Sequence, residues 1–462
     1  MPLTRIDAII QDIKTKIATV TYTAGTRLPS VRKAAALYDC SPSTVVEAYE
    51  RLVSSGILYA RAGAGFYVAQ RTVPLSLAEI APDIEREIDP LWVARQSLET
   101  QQHTLRPGCG WLPADWLYLE GVRRGMRTIA KAEDDILSDY ATPLGLPALR
   151  QLLARRMHGL GIEANPAQIM LTESGTQALD LLCRFILRAG DTVLVDDPCY
   201  FNFYALLRAH RVKVIGVPYT PQGVDTAAFA AMVDTHQPRL YITNAAIHNP
   251  TGAILTPSTA YQVLQLAQQA DMYIIEDDIF ADFEVTPAPR LAALDGLSRV
   301  FYMGSFSKTI SASLRCGYIA APSELLEDLL DLKMATGFGG AHLAAHVVMH
   351  ALMDTGYRKH MSMLHTRLAR ARTYALAQLA KLGITPWLVP NAGLFLWCQL
   401  PDGVDAAKLA RDCMAKGVVL APGNVFSQST DAHRFMRFNV AQCVDARLFD
   451  VLEAVMEEQN KS

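Results

Sequence analysis

Between Gln168 and Ala320 the chain holds seven short apolar or β-branched runs, at 168–172, 192–196, 212–217, 239–243, 272–276, 299–303 and 317–320. Helix-length amphipathic stretches lie between most of them. A parallel strand needs a crossover to return to the same end of its sheet, so this alternation predicts an α/β domain with a largely parallel, seven-stranded sheet. In such sheets ligands bind outside the carboxyl ends of the strands. Five polar loops fall there: LTESGTQ (171–177), VDDPCY (195–200), NAAIHNPTG (244–252), IEDD (275–278) and GSFSK (304–308).

Each loop has a chemical reading. Lys308 follows an apolar run and is flanked by hydroxyls, the setting a desolvated, nucleophilic Schiff-base amine needs. Ser305, Ser307 and Arg315 offer hydroxyls and a cation to the phosphate of the same cofactor. Ser174-Gly175-Thr176-Gln177 opens a helix, whose free N–H groups suit an anion as well as a plain cap. Asp277 ends a strand with Ile274 and Ile275, so its carboxylate is expected to be buried and paired, a protonated ring nitrogen being one such partner. Asn249 can donate to a phenolic oxygen, and Tyr200 can lay an aromatic face against a ring.

Residues from about 105 to 455 resemble a fold-type I pyridoxal 5′-phosphate enzyme of the class I aminotransferase group. The resemblance implies that Lys308 carries the cofactor, that Asp277 pairs with its pyridinium, and that Asn249 donates to its phenolic oxygen. Tyr200 then stacks on the ring. Gly175, Thr176, Gln177, Ser305, Ser307 and Arg315 surround the phosphate. RFMRFNVA (434–441) resembles the segment whose arginine clamps a substrate carboxylate, which points to Arg437, with Arg434 behind it. Tyr140, in YATPLG (140–145), resembles a residue that reaches a neighbouring subunit's phosphate, so the resemblance implies a homodimer. Relatives often place a tyrosine shortly after the aspartate; here Ile279 and Phe280 stand there.

The first 70 residues carry a separate pattern. Ile6, Ile9, Ile10, Ile13 and Ile17 recur at helical spacing. Ser30 is placed to cap a second helix, and Ser41, with Pro42 at the first position, a third. Val45, Ala48, Tyr49 and Leu52 make one apolar stripe on that third helix. GILYARAGAGFYVA (56–69) predicts two short strands around a glycine-rich tip. Three helices and a β-ribbon make a winged helix-turn-helix, whose third helix enters the major groove by its N-terminal end. The segment holds eight Lys/Arg and five Asp/Glu, while the whole chain has a net charge of −3.

This head resembles the DNA-binding domain of the GntR family. Arg32, Ser41, Ser43, Thr44 and Gly63 fall at its DNA-contacting positions, although Pro42 and Val46 stand where relatives often carry basic residues. Head and body together resemble the MocR family of pyridoxal phosphate-dependent regulators, and CSPSTVVEAYERLV (40–53) and EDDIFADF (276–283) are nearest its YdcR-like members. The expected domains are a head at 1–70, a linker at 71–104 and a body at 105–462. The body divides into a large lobe at about 140–325 and a smaller C-terminal α+β lobe at about 326–462. The expected partners are double-stranded DNA, an amino acid or other amine effector, and a second copy of the chain. The alternative is a working amino acid aminotransferase with an accessory head. No apolar run approaches the roughly 18 residues of a membrane span, and the charged N-terminus is no signal peptide. Eight cysteines without a C-x-x-C pair suit reduced cytoplasmic thiols. No metal site is expected.

Overall fold

A computed structural model describes residues 4–18, 22–23, 25–61, 63–69, 90–99 and 103–460. The chain divides into two compact units, Met1–Ser76 and Leu77–Ser462.

The first unit holds α1 (Arg5–Ala18), α2 (Val31–Leu37), α3 (Pro42–Ser54), β1 (Leu58–Arg61) and β2 (Gly65–Val68). The four stripe residues of α3 are fully buried, against Ile9 and Ile13 of α1. Burying one such side chain contributes roughly 1.5–3 kcal/mol, so this small core rests on a handful of residues. Ser30 Oγ accepts from Lys33 N–H, and Ser41 Oγ accepts from Thr44 N–H at 3.2 Å, so both predicted caps form. β1 and β2 pair antiparallel from Leu58↔Val68 to Arg61↔Gly65. Gly63 turns the chain between them at φ +71°, a left-handed conformation that favours glycine.

In the second unit α4 (Pro90–Glu99) comes first. The main sheet then uses β3 (Ile169–Thr172), β4 (Thr192–Asp197), β5 (Lys213–Thr220), β6 (Gly223–Val224), β7 (Leu240–Thr243), β8 (Tyr273–Asp277), β9 (Val300–Ser305) and β10 (Gly317–Ala320). Their order is β3-β10-β9-β8-β7-β4-β5-β6. The seven predicted runs are all strands, and the sheet has an eighth, the two-residue β6, too short to leave a pattern. Pairing is parallel from β9 through β8, β7 and β4 to β5. β10 runs antiparallel to both β3 and β9, so the carboxyl ends of β3, β4, β7, β8 and β9 share one rim.

A second, antiparallel sheet contains β11 (Thr385–Pro386), β12 (Phe395–Gln399), β13 (Ala421–Pro422) and β14 (Phe435–Asn439), in the order β11-β12-β14-β13. The expected linker 71–104 lies mostly outside the described residues. Its end does not run free: α4 buries Val93 in the same core as β12 and β14, and Leu105 bridges Val418.

Candidate functional site

The rim opens onto a cavity of about 560 Å³. Gly175, Thr176, Tyr200, Asn249, Asp277, Ser307, Lys308, Arg315 and Arg437 all line it, although they are spread over more than 260 residues of chain. The fold thus brings together nine of the residues singled out in the sequence.

The three acids at the end of β8 diverge. Glu276 accepts from the N–H groups of Leu291 and Ala292 at 2.9 Å and so caps a short helix. Asp278 pairs with buried Arg290 at 3.0 Å and accepts from Tyr302 Oη at 2.7 Å. Asp277 alone lines the cavity. Its Oδ1 accepts from Ile279 N–H at 3.2 Å, and Asn244 Nδ2 donates to its carbonyl at 2.8 Å. Among the described residues no cation lies within ion-pair distance of its carboxyl. Burial raises that group to about 7.

Lys308 faces the cavity, so part of it stays exposed, yet the surrounding protein desolvates its amine and lowers it to about 8. Arg437 is 1 % exposed. Its Nη1 donates to Asn249 Oδ1 at 2.9 Å and its Nη2 to Gly108 O at 2.6 Å. The guanidinium lies 4.3 Å from the Phe395 ring centre and 4.6 Å from that of Phe426. Burial lowers it to about 10, so it remains a cation near neutral pH. It meets no carboxylate among the described residues, and its Nε has no partner. A buried, unneutralised guanidinium is the setting for an anionic ligand. Because Arg437 holds Asn249 by its oxygen, the Asn249 amide nitrogen is left free to donate. Gly108 sits so close to Leu420 that a Cβ would lie 2.4 Å from its carbonyl carbon, so glycine is needed there.

Ser174 caps the helix Gly175–Ile186, accepting from Gln177 N–H at 3.0 Å and leaving the first N–H groups of that helix at the cavity. Ser305 accepts from Ser307 N–H at 3.2 Å and donates to Cys316 O at 3.1 Å.

Some predicted residues fall elsewhere. Gln177 does not line the cavity; its Oε1 accepts from Glu173 N–H at 2.6 Å, closing the helix start. Ser305 faces a neighbouring cavity and acts on Ser307. Arg434 is spent on exposed Asp402 at 2.9 Å. Tyr140 is 80 % exposed and outside the cavity, with its ring edge-on to Phe338 at 5.0 Å. Phe280 lines the cavity, so no hydroxyl stands at that position.

One wall of the cavity carries residues that were not among those expected from the sequence. Val93 and Ser97 line the cavity from the stretch expected to be linker, and Arg106 and Cys109 from the first residues of the expected body. The signal was the close-approach pattern of RPGCGW (106–111) and the apolar face of α4.

In the head, Arg32 is exposed and pairs with no carboxylate among the described residues. Ser41 Oγ lies 2.8 Å from both Ser43 Oγ and Thr44 Oγ1, so the three hydroxyls cluster at the N-terminus of α3. Arg61 sits on β1 over the stacked rings of Tyr59 and Tyr67 and is exposed.

The cavity thus joins Lys308 and Asp277, at the rim of the main sheet, to Arg437 of the second sheet. Residues 117–455 match the aminotransferase class I and II family, and residues 5–68 match the bacterial regulatory proteins of the gntR family. The chain therefore belongs to the aminotransferase class I and II family, and it carries a GntR helix-turn-helix domain ahead of that body. It is 27% identical to an uncharacterized HTH-type transcriptional regulator, YisV, of Bacillus subtilis, over 90% of this chain and 88% of the relative. The same identity holds to the regulator YdcR of Escherichia coli, over 94% of each. Among solved structures, LysN, an α-aminoadipate aminotransferase of Thermus thermophilus, superposes with a TM-score of 0.72 at 22% identity, over 84% of this chain and all of that one.

Proposed function

We propose that this protein is a cytoplasmic DNA-binding transcriptional regulator whose body binds pyridoxal 5′-phosphate through Lys308 and senses the cofactor, an amino acid or their adduct. The observation that carries the reading is the cavity with a buried carboxyl lacking a cation and buried or rim cations lacking an anion. The missing charges are those of a pyridinium, a phosphate and a carboxylate. The regulator relatives support the DNA-binding half.

When bound, pyridoxal phosphate supplies an aldehyde and an electron-withdrawing ring. The protein's residues do the rest. The lowered Lys308 amine is neutral far more often than an ordinary lysine, by on the order of a few hundredfold. Asp277 holds a proton at the ring nitrogen. Asn249 donates to the phenolic oxygen from an orientation that Arg437 sets. Arg315, Ser307 and the start of Gly175–Ile186 receive the phosphate. Arg437 receives the α-carboxylate of an amino acid.

A working aminotransferase is the second reading, favoured by the complete set of Lys308, Asp277, Asn249 and Arg437 on one cavity. Phe280 weighs against efficient transamination, because a phenolic donor near the ring oxygen is missing. We place a second copy of the chain against the face bearing Tyr140, where Met126, Leu137, Phe338 and Leu343 are also exposed.

The test of the body is reconstitution with pyridoxal phosphate. Wild type should gain a visible absorbance band that borohydride fixes to the chain, and Lys308→Ala should stay folded without it. A borohydride-fixed band on the variant would overturn the assignment.

A further inference from the structure

The gntR match ends at 68 and the aminotransferase match begins at 117. The stretch between them supplies a wall of the cavity, and two polar groups on that wall lack partners among the described residues. Ser97 is 2 % exposed and its hydroxyl makes no hydrogen bond. A buried hydroxyl left unsatisfied is unfavourable, so a ligand group there is favoured. Arg106 is half-buried and forms no ion pair.

The charge balance points the same way. The ionic lining of the cavity is Arg106, Lys308, Arg315 and Arg437 against Asp277. Cys109 and Tyr200 add no negative charge, because burial holds both protonated. On the cofactor reading, Asp277 meets the ring nitrogen, Lys308 the aldehyde, Arg315 the phosphate and Arg437 the α-carboxylate. Arg106 remains without an anion. Arg106 stands two residues before Gly108, whose carbonyl accepts from Arg437 at 2.6 Å, which sets Arg106 at the amino acid end of the cavity.

We propose that Arg106 and Ser97 bind a second carboxylate, so that the effector is an amino acid with an acidic side chain. A guanidinium fork fits a carboxylate in two hydrogen bonds, and the Ser97 hydroxyl adds a third donor. This rests on the cofactor reading of the same cavity. It also makes the wall that recognises the side chain part of the stretch leading from the DNA-binding head into the body.

The experiment titrates full-length holoprotein with L-glutamate, L-aspartate, L-glutamine and L-asparagine, reading calorimetric affinity and the cofactor spectrum. Each acid and its amide share a shape, so their ratio isolates the charge. At least one acid should bind on the order of 10- to 100-fold more tightly than its amide. Arg106→Gln should bring that ratio to within about twofold, and Ser97→Ala should reduce it in part, with the cofactor band retained as the check on folding. Wild type with equal affinities for each acid and its amide overturns the proposal, and does so even if Arg106→Gln fails to fold. A ratio that survives in Arg106→Gln overturns it too. So does weakened cofactor retention with the ratio intact, which would give Arg106 to the phosphate. A wild type with no cofactor band would instead sink the reading on which this one rests.

Discussion

Replacing Asp277 by Asn should move stability in opposite directions with and without the cofactor. Burial raises the Asp277 carboxyl from 3.8 to about 7. The unfolded chain releases this proton near 3.8, while the folded one keeps it until about 7. Stability of the cofactor-free protein therefore falls as pH rises through that window. Between pH 5 and pH 8 the linkage amounts to a loss of about 2–3 kcal/mol, at about 1.4 kcal/mol per pH unit. Asn keeps the acceptor for Ile279 N–H and has nothing to ionise. Lys308 does not blur the comparison. Its amine is lowered from 10.5 to about 8, so its burial cost is fully present below 8 and is relieved only between about 8 and 10.5. The cofactor-free variant should thus gain about 2–3 kcal/mol on wild type between pH 5 and pH 8, read from urea midpoints at unchanged slope. With cofactor present the sign reverses. The variant offers no anion to the ring nitrogen and should release pyridoxal phosphate more readily on dialysis. A pH-independent difference in the cofactor-free pair, or equal cofactor retention, would refute the role given to Asp277.

Arg437→Gln should abolish amino acid-induced changes in the cofactor spectrum, at a cost of about 2–5 kcal/mol in ligand binding, while the cofactor stays bound. Amino acid titration of the reconstituted variant checks this, and retained wild-type affinity would return the clamp to another residue. Sedimentation of the holoprotein at micromolar concentration should give a dimer, and Tyr140→Ala should weaken cofactor retention without touching the lining of its own cavity. A clean monomer would remove Tyr140 from the account.

Much of the fold was legible because its strands are buried on both faces and read as continuous apolar runs. β6 was not, since two residues carry no period. The site was legible where a loop sits at a strand end, as at Asp277 and Lys308. Which acid of Glu276-Asp277-Asp278 faces the cavity is fixed by strand alternation and by distant partners, Leu291 and Arg290, that no local pattern announces. Gln177 bonds its own helix start because a helix-opening side chain serves its own backbone as readily as a ligand. Ser97 and Arg106 were missed because they line the cavity by tertiary packing of α4 and the 105–108 segment against the small sheet, contacts of long sequence separation.

On the proposed function, the body controls what the head does on DNA. The direct measurement is footprinting upstream of the protein's own gene, at several salt concentrations, with and without pyridoxal phosphate and an acidic amino acid. The account predicts a protected site whose affinity falls steeply with salt. Cofactor and amino acid should shift that affinity by favouring one of two states. Arg32→Ala should cost on the order of 1–3 kcal/mol in affinity. Equal, salt-insensitive binding by wild type and variant, or vigorous transamination with no protected site, would contradict it.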